Sequence, residues 1–237
     1  MMDSEFDFTL EGQPDFAFLT VKLPAGGGLQ VEASAMATMD TSLRMSTKMK
    51  GGLKRMLTGE NLFINEFRAE KGPGEIGIAP GSIGDIAHYH LTNEAIFLSN
   101  SAFLASGLNV VAETKWQGLK KGFFSGGGFF LVKCSGAGSL WFTSFGALLE
   151  MVVDTDVTVD TGHVVAFTEG LEYEVRALSD MKTRILGGEG LVCNFKGRGR
   201  LWIQTRNTPS FAHWAHPFRP TKSKGGGGNI VGNILGD

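Results

Sequence analysis

The chain has 237 residues, 42% of them hydrophobic and 19% charged, with a formal net charge of −2. That length buries a large core without staples, and the composition excludes both a disordered chain and a collagen. The near-neutral balance argues against a non-specific nucleic-acid binder. Two cysteines, Cys134 and Cys193, are too few for a disulfide framework and match no metal spacing, so they read as packed free thiols.

The start, MMDSEFDFTLEG, is acidic and lacks the apolar run of a signal peptide. No stretch reaches the length of a membrane span, so the chain is expected to be cytoplasmic. Its 34 glycines are about twice the usual share. They fall between apolar runs, as tight turns joining short strands require. Methionines 36, 39, 45, 49 and 56 form a soft stripe, read as gap-filling in the core.

The next stretch, LTGENLFINEF, puts Leu62, Phe63 and Ile64 in an apolar triplet behind the Gly51-Gly52 pair. GEIGIAPGSIGDI then reads as strand, turn at Pro80-Gly81, strand. HYHLTNE follows, with His88 and His90 on one face of a strand and Glu94 close behind. This H-x-H-x3-E spacing is similar to the first metal motif of the cupins. Against a metal site stand Ser82, where that motif has glycine, and the lack of a second motif downstream. EAIFLSNSAFLASGLNVVAET carries a rhythm of short strands and polar turns.

SGAGSLWFTS presents Leu140-Trp141-Phe142 with Gly136 and Gly138 four and two positions ahead of the leucine. After LLEMVVDTDVTVDTGHVVAF, with its turn at Thr161-Gly162, comes GLEYEVRAL. There Tyr173, Val175 and Ala177 alternate with Glu172, Glu174 and Arg176, the mark of a strand with one wet face. KGRGRLWIQT repeats the earlier phrase, with Gly197 and Gly199 ahead of Leu201-Trp202-Ile203. Trp141 and Trp202 are expected to face away from Leu140 and Leu201, under a neighbouring sheet or subunit. The one helical candidate is around Ser210 to Ala215. His213 and His216 there read as surface residues beside a packed Trp214, and His163 as a turn residue. Beyond Lys222, four glycines tether a small apolar patch, which suits a flexible arm.

The repeated phrase is read as a copied strand-turn-strand unit whose apolar face one copy cannot bury alone. The fold class is therefore all-β: three internal repeats of an antiparallel β-sandwich unit about a pseudo-three-fold axis. The expected units are 1–90, 91–160 and 161–220, followed by a glycine-rich tail over 221–237. Leu62, Leu140 and Leu201 are the expected anchors.

Two long stretches, IFLSNSAFLASGLNVVAETKWQGLKKGFFSGGGFFLVKCSGAGSLWFTSFG and GEGLVCNFKGRGRLWIQTRN, resemble the altered-inheritance-of-mitochondria family. The resemblance runs from about residue 15 to the tail. It implies three copies of a unit like that of the Trp RNA-binding attenuation protein, and self-assembly. It implies no established reaction and no catalytic residues. Fungal relatives are linked to mitochondrial inner-membrane organisation, a role not transferred here because the chain shows no transit peptide.

Neither SGGG nor KGRGRL has the spacing of a phosphate loop, and no nucleophile elbow appears. No catalytic, cofactor-binding or metal residue is assigned, and no cofactor is expected. The leading reading is a non-catalytic scaffold or binding protein whose partner is itself, as a homo-oligomer and by expectation a trimer. A second reading is RNA or polyanion binding through basic residues beside glycine: Lys48, Lys50, Lys54 and Arg55; Lys115, Lys120 and Lys121; Lys196, Arg198 and Arg200. The third is a cupin-like metal enzyme using His88, His90 and Glu94.

Overall fold

A computed structural model describes residues 5–48, 63–115, 131–177 and 191–219. They form antiparallel sheets, as the short apolar runs and turn signals require. The first strands are β1 (Asp7–Glu11), β2 (Phe18–Leu23), β3 (Gly28–Glu32), β4 (Met36–Met39) and β5 (Arg44–Lys48). Then come β6 (Ile64–Arg68), β7 (Gly74–Ile78), the long β8 (Ile86–Ser99), β9 (Phe103–Gly107) and β10 (Val110–Lys115). The long β11 (Leu131–Thr143) is followed by β12 (Leu148–Val153), β13 (Val157–Asp160) and β14 (Val164–Thr168). Last are β15 (Leu171–Ala177), β16 (Leu191–Gly197), β17 (Gly199–Gln204) and helix α1 (Thr208–Ala215). The helix starts where expected: Asn207 Oδ1 accepts from Ser210 N, and proline stands in the first turn.

A four-stranded sheet runs β1-β2-β7-β4, and a three-stranded one runs β13-β16-β15. Between them, a ten-stranded sheet runs β12-β17-β14-β8-β11-β9-β3-β6-β5, with β10 beside β11. The strands β8 and β11 pair along their whole length, broken once where Thr92 opposes Ala137 and Glu94 opposes Gly136. Asn93 is the extra residue, at φ 67°, and Gly136 sits at φ 117° across from it.

Three hydrophobic cores form: one against each smaller sheet, and one enclosed by strands of the ten-stranded sheet itself. The first packs Leu19, Val21, Ile76 and Ile78 against Leu29, Val31, Phe67 and Trp141. The second joins Leu140, Phe142 and Tyr89 to Ile96, Leu98, Val165 and Trp202. In the third, Leu201, Val164 and Phe167 meet Cys193 and Phe195. Leu140 and Trp141 thus serve different cores, as do Leu201 and Trp202. The expectation that each Trp faces away from its Leu holds, because successive strand side chains point to opposite faces.

The boundary drawn at 90/91 cuts through the continuous strand β8. Leu62 lies outside the described residues, and β7 carries a similar glycine spacing. Its Ile76 pairs with Met39 on one side, as Leu140 does with Ser106 and Leu201 with Phe167. Gly72 and Gly74 stand four and two positions ahead of Ile76. A glycine-glycine-apolar phrase thus also stands at 72–78, with Gly77 at the place that Trp141 and Trp202 take in the other two phrases.

Candidate functional site

Strand alternation points His88 and His90 to one face of β8, toward β1. The His88 ring lies 4.7 Å from that of Phe8 and 5.1 Å from that of Trp141. Phe8 meets Trp141 edge-on at 5.3 Å. His88 Nε2, His90 Nδ1 and Trp141 Nε1 are buried with no hydrogen-bond partner among the described residues. Burial, with a smaller contribution from His90, lowers the His88 pKa to about 4, so the imidazole is neutral at pH 7. Glu32, at the end of β3, is pushed up to about 7 by burial.

The third member of the sequence triad does not join them. The extra residue at Asn93 reverses side-chain parity, so Glu94 turns to the opposite face of β8. There Glu94 Oε1 accepts a 3.0 Å hydrogen bond from Tyr89 Oη and a longer one from Thr92. Among the described residues no three His, Cys, Asp or Glu side chains group to hold a metal ion. The cupin-like site built on His88, His90 and Glu94 is thereby overturned.

On the Glu94 side lies a cluster that sequence reasoning missed. The Arg200 guanidinium sits 4.7 Å from the centre of the Tyr89 ring and 5.2 Å from that of Trp202. Trp202 Nε1 donates to Glu150 Oε2 at 3.1 Å, and Arg200 pairs with the other oxygen at 3.5 Å. Tyr89 meets Trp202 edge-on at 5.7 Å. Strand register brings these groups together: β12 lies beside β17 with Glu150 opposite Trp202, and β8 contributes Tyr89. Only the pairing of distant strands makes this visible, so no sequence spacing signals it. Chemically the cluster ties β8, β12 and β17 of the ten-stranded sheet together, since each polar group already has a partner within it.

The basic residues near the third glycine turn are largely engaged as well. Lys196 lies 3.7 Å from Asp156, and Arg200 is held as described. Arg198 is exposed. Lys48 and Lys115 end β5 and β10, whereas Lys50, Lys54, Arg55, Lys120 and Lys121 lie outside the described residues. His163 Nδ1 bonds the Gln204 carbonyl at 2.7 Å, and its Nε2 contacts Asn207 Nδ2 at 3.1 Å, so this turn histidine pins the chain ahead of α1. His213 and His216 are exposed as expected, but Trp214 is 64% exposed rather than packed. Met36 packs on the first core, Met39 and Met45 are exposed, and Met49 and Met56 lie outside the described residues. Burial pushes Cys134 and Cys193 up to about 12, which fits packed thiols rather than reactive ones.

With this geometry in place, comparison with known proteins is informative. The mitochondrial biogenesis AIM24 family model matches residues 8–206. The chain belongs to that family. A relative, an uncharacterised protein of Streptococcus pyogenes serotype M6, is 29% identical over 236 residues, covering 94% of this chain and 95% of its own. A crystal structure of a Streptococcus pyogenes protein, from a structural genomics programme, superimposes with a TM-score of 0.78 at 27% identity. It covers 91% of this chain and all of that one. The match to the AIM24 family spans the strands from β1 to β17 and stops ahead of α1. Among the described residues no helix is long and apolar enough to cross a membrane.

Proposed function

We propose that this AIM24-family chain is a non-catalytic, self-assembling binding scaffold made of three related β units, β2–β7, β8–β11 and β12–β17. One observation carries the reading: the same four strand pairings recur in the same order. In the first unit they are β2–β7, β3–β6, β4–β7 and β5–β6. In the second, the two halves of β8 and β11 pair with each other, and β11 also takes β9 and β10. In the third they are β12–β17, β13–β16, β14–β17 and β15–β16.

Two details support common descent over chance. A one-residue irregularity falls at the same place in each unit, around Ala37, Leu104 and Val165. Gly72, Gly136 and Gly197 all have positive φ, at 134°, 117° and 98°, a conformation that favours glycine. Such units spend their apolar faces on one another and leave surface, not a cleft, as the means of action.

An experimental structure in which the three units fail to superimpose strand for strand removes the three-unit reading. Native mass spectrometry tests assembly: a species larger than one chain at low micromolar concentration is expected. A single chain throughout the concentration range, or turnover of a small molecule lost on one point substitution, removes the scaffold reading.

A further inference from the structure

Successive units are joined by strand pairing. The β3 strand of the first pairs with β9 of the second, placing Leu29, Gln30 and Val31 opposite Gly107, Ser106 and Ala105. The second half of β8 pairs with β14 of the third, with Ile96, Phe97 and Leu98 opposite Thr168, Phe167 and Ala166. Carried by register, the next such junction matches β13 with β4, setting Val157, Thr158 and Val159 opposite Asp40, Met39 and Thr38. Within one chain that junction is not made. Among the described residues β4 pairs only with β7 and β13 only with β16. The strand β4 is exposed from Ala37 to Met39, whereas its counterpart β9 is buried throughout.

These two edges also lack the charges that blunt the others. A bare strand edge templates pairing with another chain, and proteins guard such edges with charged side chains. The edge strands β1, β5, β10, β12 and β15 carry Asp7, Arg44, Glu113, Glu150 and Glu172. By contrast β4 reads MATM, without a charge, and β13 reads VTVD, with one at its last position only.

We infer that β4 of one copy pairs antiparallel with β13 of a second copy, making between chains the junction that β3–β9 and β8–β14 make within one. The assignment rests on the three-unit reading, which supplies the register. Head-to-tail contacts of this kind cover both edges of every copy inside a ring or a filament.

The test uses Met39→Cys and Thr158→Cys in the full chain. Both positions are exposed, and paired strands bring opposite Cα atoms within disulfide reach. Co-expression of the two single variants, followed by mild oxidation, is expected to give a disulfide-linked species of two chains, while either alone gives none. Met39→Lys, which places a charge on the edge, is expected to shift native mass spectra toward single chains with an unchanged unfolding midpoint. If the double variant forms only a disulfide within one chain and the mixture none, the second copy is the wrong occupant while the three-unit register survives. If no disulfide forms in folded protein, both the register and the inference fall.

Discussion

The Leu140-Trp141-Phe142 stretch of β11 and the Ile76-Gly77-Ile78 stretch of β7 each follow two glycines at the same spacing, yet they are built differently. From Gly138 to Thr143 every residue of β11 is buried. Ile76, Gly77 and Ile78 are buried as well, but β2, the partner of β7, alternates between buried and partly exposed positions, with Lys22 in water. The inner strand has a core on each face, so neighbours in sequence, Leu140 and Trp141, enter different cores. In the outer pair Phe18 and Thr38 close over Gly77 and leave no room for the tryptophan that the inner strand uses. A continuous apolar run therefore reports two cores, and alternation reports one.

Trp141→Ala is the sharpest way to break that contrast. The ring is fully buried between β1, β8 and β11, and its loss is expected to cost about 3–5 kcal/mol in urea unfolding. A cost below about 1 kcal/mol refutes the two-core account of β11.

His88 should make the same region sensitive to acid. Its folded pKa is lowered to about 4 from 6.5, so the unfolded chain binds more protons between those values. Stability is then full above about pH 6.5 and falls as the pH drops toward 4. The loss from this group is at most about 3 kcal/mol and is reduced by partial solvent access. In His88→Gln the difference in unfolding free energy between pH 7 and pH 4 should shrink, and an unchanged difference counts against the buried neutral imidazole.

Glu32 acts in the opposite direction. Its carboxyl is raised to about 7, so the folded chain holds its proton more tightly than the unfolded one between about 4.5 and 7. Its contribution is fully present below pH 4.5 and is lost as the pH rises to about 7. Glu32→Gln should raise the melting temperature at pH 8, by an amount corresponding to about 1–2 kcal/mol, and leave it nearly unchanged at pH 4. Equal effects at both values would contradict the raised pKa.

A last test concerns the glycine that leads the repeated phrase in β11. Gly136→Ala forces a side chain onto φ 117° and against the Asn109 carbonyl, at a cost of about 1–3 kcal/mol. Gly81→Ala, which meets open space, should cost little. Equal melting temperatures for the two variants would remove the conformational reason for glycine in the phrase.

Much of this was legible from residues alone. The all-β class, the L-W phrase on two faces, the helix near Ser210 and the inert cysteines all follow from local rules of turn, alternation and burial. The leucine and aromatic anchors led to Leu62, which lies outside the described residues, rather than to the phrase at 72–78. The glycine spacing at Gly72 and Gly74 was the better signal, since backbone conformation constrains those positions more tightly than packing constrains the apolar ones. The His88, His90 and Glu94 triad failed for a related reason. A single extra residue at Asn93 is invisible to spacing arguments yet moves Glu94 to the other face.

By itself the sequence determined what each short segment is: strand or turn, one wet face or none, glycine where φ must be positive. Those are local properties, set within a few residues by sterics and hydropathy. Which strands meet was decided only in three dimensions. The partnership of Glu150 with Trp202 and Arg200, the isolation of Glu94 from the histidines, and the bare edges of β4 and β13 all depend on register between segments far apart in the chain. Register is fixed by the joint burial of many side chains, and no local pattern contains that sum.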